Sequence, residues 1–205
     1  KYIMNCNPTA LAVMKTPAEC GADIAVGEGQ PLGMPIAFGG PYLGFMAAKS
    51  AMARKLPGRI VGQTVDKNGE RGFVLTLQAR EQHIRREKAS SNICSNQALC
   101  ALTAAVYMSA MGSIGMKAVA ESSMSKAHYL ASELEKIGVK LSFNGEFFHE
   151  FTVNMPKTEE VLKALEDNGI LGPYPTEKGV IFCTTELVTK AEMDKAVEII
   201  KEVIA

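Results

Sequence analysis

The sequence predicts an α/β protein with two domains, residues 1–112 and 113–205, joined by a long helix. Three observations lead to this fold class. Short apolar runs bounded by glycines predict buried strands in the first part of the chain. Two consecutive helical patterns then occupy the middle of the chain, and strand and helix patterns alternate in the last part, as in an α+β domain.

Three apolar runs predict the strands of the first domain, and they span residues 22–26, 43–47 and 72–77. The segment between the first two is dense in glycine and proline, which predicts an ordered loop. The third run follows the turn signal Lys67-Asn68-Gly69. Residues 80–88 are highly charged and predict one short helix.

Two helices are predicted in the middle of the chain. Ser95 can cap a helix that is apolar nearly all round and ends at Gly112, so we expect it to be buried. From Ser113 the apolar residues repeat on one stripe until Gly138, which predicts a long amphipathic helix between the two domains.

The second domain is predicted to be a small α+β sandwich. Strands at 139–143 and 147–153 are expected to form a hairpin at Asn144-Gly145, followed by a helix at 158–168 and a strand at 179–183. Thr189 and Glu192 then stand in capping-box register at the start of a last amphipathic helix.

Charge and hydropathy limit the classes of partner. The chain has 22 basic and 22 acidic residues, so it has no net field to hold nucleic acid or an anionic membrane surface. No apolar run approaches the roughly 20 residues that span a bilayer, and residues 1–6 do not resemble a signal peptide. We therefore expect a cytoplasmic protein with neither nucleic acid nor membrane as a partner.

Cysteines and histidines give no clear metal or catalytic pattern. The five cysteines form no C-x-x-C pair, and Cys94 and Cys100 are expected to be small core residues of a helix, so no metal site is predicted. His128 lies beside the apolar stripe of the long helix and is expected to be structural. His149-Glu150 lies on a predicted strand, and without a third polar partner a structural role is favoured over catalysis.

Seven sequence blocks carry a resemblance to a known family. The first is GEGQPLG, from Gly27 to Gly33. The others are residues 38–44, 57–62, 71–78, 80–88, 91–94 and 96–99. Together they resemble the alpha subunit (subunit 1) of the glycine-cleavage-system P-protein. Taken alone, the glycines could merely allow tight turns.

This resemblance implies an activity that belongs to an assembly. The family is glycine dehydrogenase (aminomethyl-transferring), which decarboxylates glycine with pyridoxal 5'-phosphate (PLP) and passes the aminomethyl group to the lipoyl H-protein. Similar alpha and beta subunits are expected to assemble as a heterotetramer. The implied fold is that of the PLP-dependent transferases of fold type I, which resemble aspartate aminotransferase. Since the chain lacks an initiating Met and begins within a predicted strand, we expect it to be the C-terminal part of an alpha subunit, containing part of the large domain and the complete small domain.

The resemblance also implies that the catalytic lysine is missing. Only a primary amine can form the Schiff base with PLP, and in the beta subunit that lysine follows the strand matching residues 22–26. Here Gly27-Glu28-Gly29-Gln30 follows the strand, and no lysine occurs between Lys15 and Lys49. We therefore expect no catalytic residue in this chain, PLP held by the beta subunit, and an isolated chain that is inactive.

Two clusters remain candidates for binding. Ser90, Ser91 and Asn92 match the place where related folds donate a hydroxyl to the phosphate of a partner subunit's PLP, although they could serve only as turn or capping residues. The basic residues between Arg80 and Lys88 could line the mouth of the active site or receive the H-protein. The alternative is a solvated helix face.

Two other functions stay open. A self-sufficient enzyme would need another lysine, and Lys15 and Lys49 flank the glycine-rich loop. A non-catalytic interaction module could also retain the fold of a PLP enzyme. Reducing any cofactor adduct and locating it by mass spectrometry distinguishes a self-sufficient enzyme from a chain that relies on the beta subunit's lysine. Measuring the affinity of the chain for the beta subunit tests the interaction module.

Overall fold

The computed structural model describes residues 1–57, 60–76, 82–89, 92 and 96–205, with the backbone alone at 83 and 84. Within these ranges the chain forms two compact units. The first comprises Lys1–Leu11 and Lys15–Ala110, and the second comprises Ala12–Met14 and Met111–Ala205.

The first unit contains a three-stranded sheet. Its strands are β1 (Ile3–Asn5), β2 (Ile24–Glu28) and β3 (Gly44–Ala48), in that order. β1 is parallel to β2, and β3 is antiparallel to it. The sequence placed the middle strand at 22–26, but Gly27 and Glu28 continue it because they pair with Phe45 and Gly44 of β3.

A two-stranded antiparallel ribbon follows, formed by β4 (Ile60–Val65) and β5 (Arg71–Thr76). The sequence predicted β5 and the turn before it. In that turn Gly69 has φ 83° and the Asp66 carboxylate accepts the backbone N–H of Asn68 at 2.8 Å. β4 was not predicted, because Gly62 and the polar residues after it interrupt its apolar pattern.

The predicted short charged helix is present as α1 (Gln82–Arg85), followed by a 3-10 turn over Arg86–Lys88. α2 spans Ala98–Lys136 and consists of two helical segments that meet at Gly112, where φ is 61° and ψ is −176°. The predicted helix end at Gly112 and the predicted glycine closure at Gly138, with φ 89°, are confirmed. Ser95, the predicted cap, lies outside the described residues.

The first segment of α2 is not buried as the sequence predicted. Cys100 and Ala104, four residues apart and therefore on one face, are 8% and 3% exposed. The other faces reach solvent, since Leu99, Leu102 and Val106 are 76%, 60% and 61% exposed. The described residues of the first unit thus cover one face of this segment only.

α2 also corrects the expectation that no apolar stretch of the chain approaches the length needed to span a bilayer. It contains an 18-residue window of mean hydropathy 1.5, so by length and composition alone it could cross a membrane, a test that core helices of soluble proteins also pass. Counting only unbroken apolar runs overlooked it, because small polar residues interrupt the run. Two of these, Thr103 and Ser109, donate their hydroxyls to the carbonyls of Leu99 and Ala105, which reduces the cost of placing them in an apolar helix.

The second unit is an α+β sandwich with a four-stranded antiparallel sheet. The strands are β6 (Lys140–Leu141), β7 (Glu150–Asn154), β8 (Tyr174–Thr176) and β9 (Gly179–Cys183), in the order β6-β7-β9-β8. Its two further helices are α3 (Thr158–Asp167) and α4 (Lys190–Ile204). The core contains Leu134 of α2, Val153 of β7, Val161 of α3 and Ile200 of α4, each at most 1% exposed.

Two details of this sheet differ from the sequence prediction. β6 pairs with β7 as expected, but residues 142–149 connect them instead of a tight turn at Asn144-Gly145. Within this connection the Phe147 ring stacks on His128 with centroids 4.2 Å apart. β8 was not predicted, because it is short and contains Pro175, which an edge strand tolerates.

Candidate functional site

Glu28 is the last residue of β2, in the segment where the resemblance implies a lysine in the beta subunit. Its Oε1 accepts the backbone N–H of Leu43 at 2.5 Å, and its Oε2 accepts that of Gln30 at 2.8 Å. The Gly29 N–H donates to the Leu43 carbonyl at 2.7 Å. These bonds tie the start and the end of the glycine-rich segment to the end of β2.

Lys49 lies at the other end of this strand pair. Its Nζ contacts Asp23 Oδ1 at 3.2 Å, just before β2 begins. The Tyr2 N–H and then the Lys49 ammonium hold the pKa of Asp23 well below its usual range, at about 2. Since a strand rises about 3.3 Å per residue, the five residues from Asp23 to Glu28 place roughly 16 Å between this ion pair and the end of β2.

The residues at the end of β2 therefore do not fit the cofactor as an anchor. A Schiff base requires a primary amine, and the side chain offered there is a carboxylate that already accepts two backbone N–H groups. A carboxylate also disfavours an anionic ligand beside it. Glu28 is thus engaged by the backbone of its own chain, and the assignment of the cofactor to another subunit stays a prediction.

The loop between β2 and β3 is ordered, as the sequence predicted. The Gln30 side-chain amide donates to the Met34 carbonyl at 2.7 Å, and the Tyr42 hydroxyl accepts the N–H of Ala37 at 3.3 Å. At Gly33, with φ 87°, a Cβ would lie 2.7 Å from the Cβ of Tyr107. Gly33 is thus required both by its backbone conformation and by the close approach of Tyr107.

The predicted cofactor-binding residues are only partly described. Asn92 is exposed, whereas Ser90 and Ser91 lie outside the described residues. In the basic cluster, Arg86 and Lys88 are exposed. Arg80 and the side chain of His83 lie outside the described part of the chain. The phosphate contact and the docking role of the cluster stay predictions.

A second group of polar side chains lies at one end of the sheet in the second unit, and the sequence analysis considered two of its members, His149 and Glu150, but not Cys183. Glu150 of β7 pairs directly with Cys183 of β9, and His149 precedes Glu150. The ligand atoms of the three side chains all lie within 4.8 Å of one another. Both strands were predicted, but one sequence does not give the register that places Cys183 opposite Glu150.

Burial controls the protonation of this second group. It lowers the pKa of His149 from its usual value, against the opposing influence of the Glu150 and Glu186 carboxylates. It also raises the pKa of the Cys183 thiol to about 11, and Glu150 adds to that shift. The imidazole is therefore neutral and the thiol protonated at neutral pH in the absence of a bound cation.

Comparison with known proteins identifies the family. The family model for the glycine cleavage system P-protein matches residues 1–200. The probable glycine dehydrogenase (decarboxylating) subunit 1 of Desulfitobacterium hafniense is 51% identical over 207 residues, covering 95% of this chain and 46% of that protein. The crystal structure of a glycine decarboxylase P-protein in inhibitor-bound form is 45% identical, with a TM-score of 0.92, over 98% of this chain and 48% of that one.

A more distant structure supports the fold class. The Thermus thermophilus aspartate aminotransferase of subgroup IV has a TM-score of 0.59 at 18% identity, over 98% of this chain and 54% of that one. The predicted fold, that of the PLP-dependent enzymes of fold type I, is confirmed. The chain spans about half the length of the curated relatives it matches. With the family model matching nearly all of its residues, the chain belongs to the glycine cleavage system P-protein family.

Proposed function

We propose that this chain contributes to a glycine decarboxylase whose PLP is held by a homologous beta subunit. The observation that carries the proposal is the end of β2, where Glu28 takes the place of an amine and is engaged by Leu43 and Gln30. In this assembly glycine loses its carboxylate on the beta subunit, and the aminomethyl group passes to the lipoyl H-protein. The contribution of this chain is interfacial.

The first segment of α2 supports an interfacial role. Leu99, Leu102 and Val106 lie on the part of this helix that the described residues leave exposed. Burying such side chains contributes roughly 1.5 to 3 kcal/mol each, before the entropy of association is subtracted. A protein surface that covers this helix would therefore be favourable, and the beta subunit is the partner that the family relationship suggests.

Ser90, Ser91 and Asn92 are proposed to complete the site of the beta subunit. Hydroxyl groups and backbone N–H groups just before a helix suit a phosphate, and α2 begins at Ala98, shortly after this segment. Support for this role comes from the sequence pattern, together with the exposure of Asn92.

The absence of an anchor is tested with the purified chain alone. PLP is added, any Schiff base is reduced with borohydride, and the peptides are analysed by mass spectrometry. We expect no stoichiometric adduct at any one lysine. A stoichiometric adduct at Lys15 or Lys49 would support the self-sufficient enzyme and overturn the proposal.

The contribution to a partner's site is tested in the assembled enzyme. Ser90→Ala should raise the dissociation constant for PLP, because one phosphate donor is lost. Ser113→Ala, at an exposed serine of α2, is the matched control and should leave the constant unchanged. Equal constants for Ser90→Ala and the unmodified assembly would refute the phosphate contact.

The second candidate, a non-catalytic interaction module, is favoured by the same exposed face of α2. Mixing the chain with the beta subunit and H-protein separates the two functions. Gain of glycine-dependent aminomethyl transfer supports the proposed assembly, whereas stable binding without any gain of activity supports the interaction module.

A further inference from the structure

One group of three side chains with metal-ligating chemistry occurs among the described residues. His149, Glu150 and Cys183 offer a nitrogen, an oxygen and a sulfur ligand, all within 4.8 Å of one another. Chain order does not suggest the group, since Cys183 lies 33 positions after Glu150. The antiparallel register of β7 and β9 brings them together.

The backbone around the group is fixed by hydrogen bonds. Beyond the Glu150–Cys183 pair, the N–H of Thr184 donates to the His149 carbonyl at 3.1 Å, so both strand ends are joined. The Thr184 side chain is buried, and its hydroxyl donates to the Ser123 carbonyl of α2 at 3.2 Å. A site on this backbone would therefore need only side-chain adjustment to bind an ion.

The mixed sulfur, nitrogen and oxygen donors select the class of metal. A thiolate and an imidazole favour zinc and similar borderline-soft ions, whereas magnesium and calcium prefer oxygen alone. Ligand atoms around tetrahedral zinc are about 3.3 to 3.8 Å apart. Closing from separations of up to 4.8 Å requires movements of about 1 Å, which changes of side-chain rotamer can supply.

We propose that His149, Glu150 and Cys183 bind one divalent zinc ion. The three ligands leave the fourth tetrahedral position to water. Glu150 and Cys183 also line a cleft of about 830 Å³, together with Tyr174 and Leu187. When the zinc–sulfur bond forms, the Cys183 proton leaves to solvent, so binding releases a proton. The three residues belong to the second unit, whereas the end of β2 belongs to the first, and the proposal does not depend on the assembly proposed above.

Zinc binding is measured on the full chain by equilibrium dialysis with metal analysis. We expect one zinc per chain. Cys183→Ser and His149→Gln should each weaken binding by at least about tenfold, the lower end of what even outer-sphere changes cost. Cys20→Ser and Glu146→Gln, which alter an exposed thiol and an exposed carboxylate elsewhere, are the matched controls and should bind as the unmodified chain does.

A spectroscopic readout on the unmodified chain adds a test that does not depend on how the variants fold. Cobalt(II) bound to the unmodified chain should show thiolate-to-metal charge-transfer absorption in the near ultraviolet, and this absorption should be absent in Cys183→Ser. Failure to retain stoichiometric zinc would overturn the proposal. So would zinc retention that Cys183→Ser does not weaken, or a cobalt complex without the thiolate band.

Discussion

The backbone amide of Leu43 donates to the carboxylate of Glu28 across the base of the glycine-rich segment, at 2.5 Å. The same carboxylate accepts the N–H of Gln30, so a single side chain joins the two ends of the loop. Glu28 therefore holds the backbone of the chain at both ends of this segment.

Removing this carboxylate should loosen the first unit. Glu28→Ala leaves two backbone N–H groups without their protein acceptor, and we expect it to lower the free energy of unfolding by about 1 kcal/mol, the net value of typical hydrogen bonds. Urea denaturation measures the loss. Glu70→Ala, at an exposed acid in the turn before β5, is the control and should change stability by less than about 0.5 kcal/mol. Equal stabilities for the two variants would contradict the role of Glu28.

Gly27 is required by the close approach of its neighbours. A Cβ at this position would lie 2.3 Å from the Cys6 carbonyl oxygen and 2.4 Å from the Phe45 ring. Gly27→Ala should therefore destabilise the chain by roughly 1 to 3 kcal/mol, as overpacking does.

Gly44→Ala is the matched control for this substitution. Gly44 lies in the paired strand, and a Cβ there would meet nothing within 4 Å. Thermal and urea unfolding of both variants should separate them, with Gly44→Ala close to the unmodified chain. If Gly27→Ala had unchanged stability, Cys6 and Phe45 would have to shift at little energetic cost to make room for the added Cβ.

Local patterns in the sequence predicted the elements that depend on local chemistry. β9 occupies the predicted residues 179–183, and the capping box of Thr189 and Glu192 is formed. These features are set by alternation and by contacts within one turn. Family membership was also predictable, because it rests on contiguous sequence blocks.

Features that depend on distant partners were not predictable from the sequence. The exposure of Leu99 depends on what packs against α2, and its composition cannot indicate that. Cys183 was overlooked as a partner of Glu150 because register is a property of two strands together. β8 went unpredicted since three residues with a central proline carry almost no strand pattern of their own.

The core of the second unit should be sensitive to loss of volume. Leu134 is fully buried among residues of α3, α4 and the sheet. Leu134→Ala should lower the free energy of unfolding by about 2 to 5 kcal/mol, from lost burial and the cavity that remains. Leu171→Ala is the control, because Leu171 is 95% exposed and the substitution should cost less than about 0.5 kcal/mol. A much smaller loss of stability for Leu134→Ala would mean that the surrounding helices move together and fill the cavity left by the side chain.

The start of α4 should depend on one hydroxyl. Thr189 Oγ1 accepts the N–H of Glu192, and the Glu192 carboxylate accepts the N–H of Thr189 at 2.7 Å. Thr189→Ala should cost about 1 kcal/mol of stability, whereas Thr189→Ser keeps the acceptor and should cost much less. Chemical denaturation gives both values. If alanine and serine proved equivalent, the cap would not stabilise the helix.

Asp23 should give the first unit a distinct response to acid. Its pKa is lowered from 3.8 to about 2 by the Tyr2 N–H and the Lys49 ammonium. Because the folded-state pKa is the lower one, the stabilisation is fully present above the unfolded value and is lost as the pH falls through about 2. Carboxyl NMR signals of Asp23 should titrate near pH 2. Lys49→Met should raise the midpoint only part of the way to 3.8, since the Tyr2 hydrogen bond remains. Lys15→Met is the control, because Lys15 does not contribute to the lowered pKa of Asp23, and it should leave the titration midpoint unchanged. A midpoint near 3.8 in the unmodified chain would show that the ion pair between Asp23 and Lys49 does not form in solution.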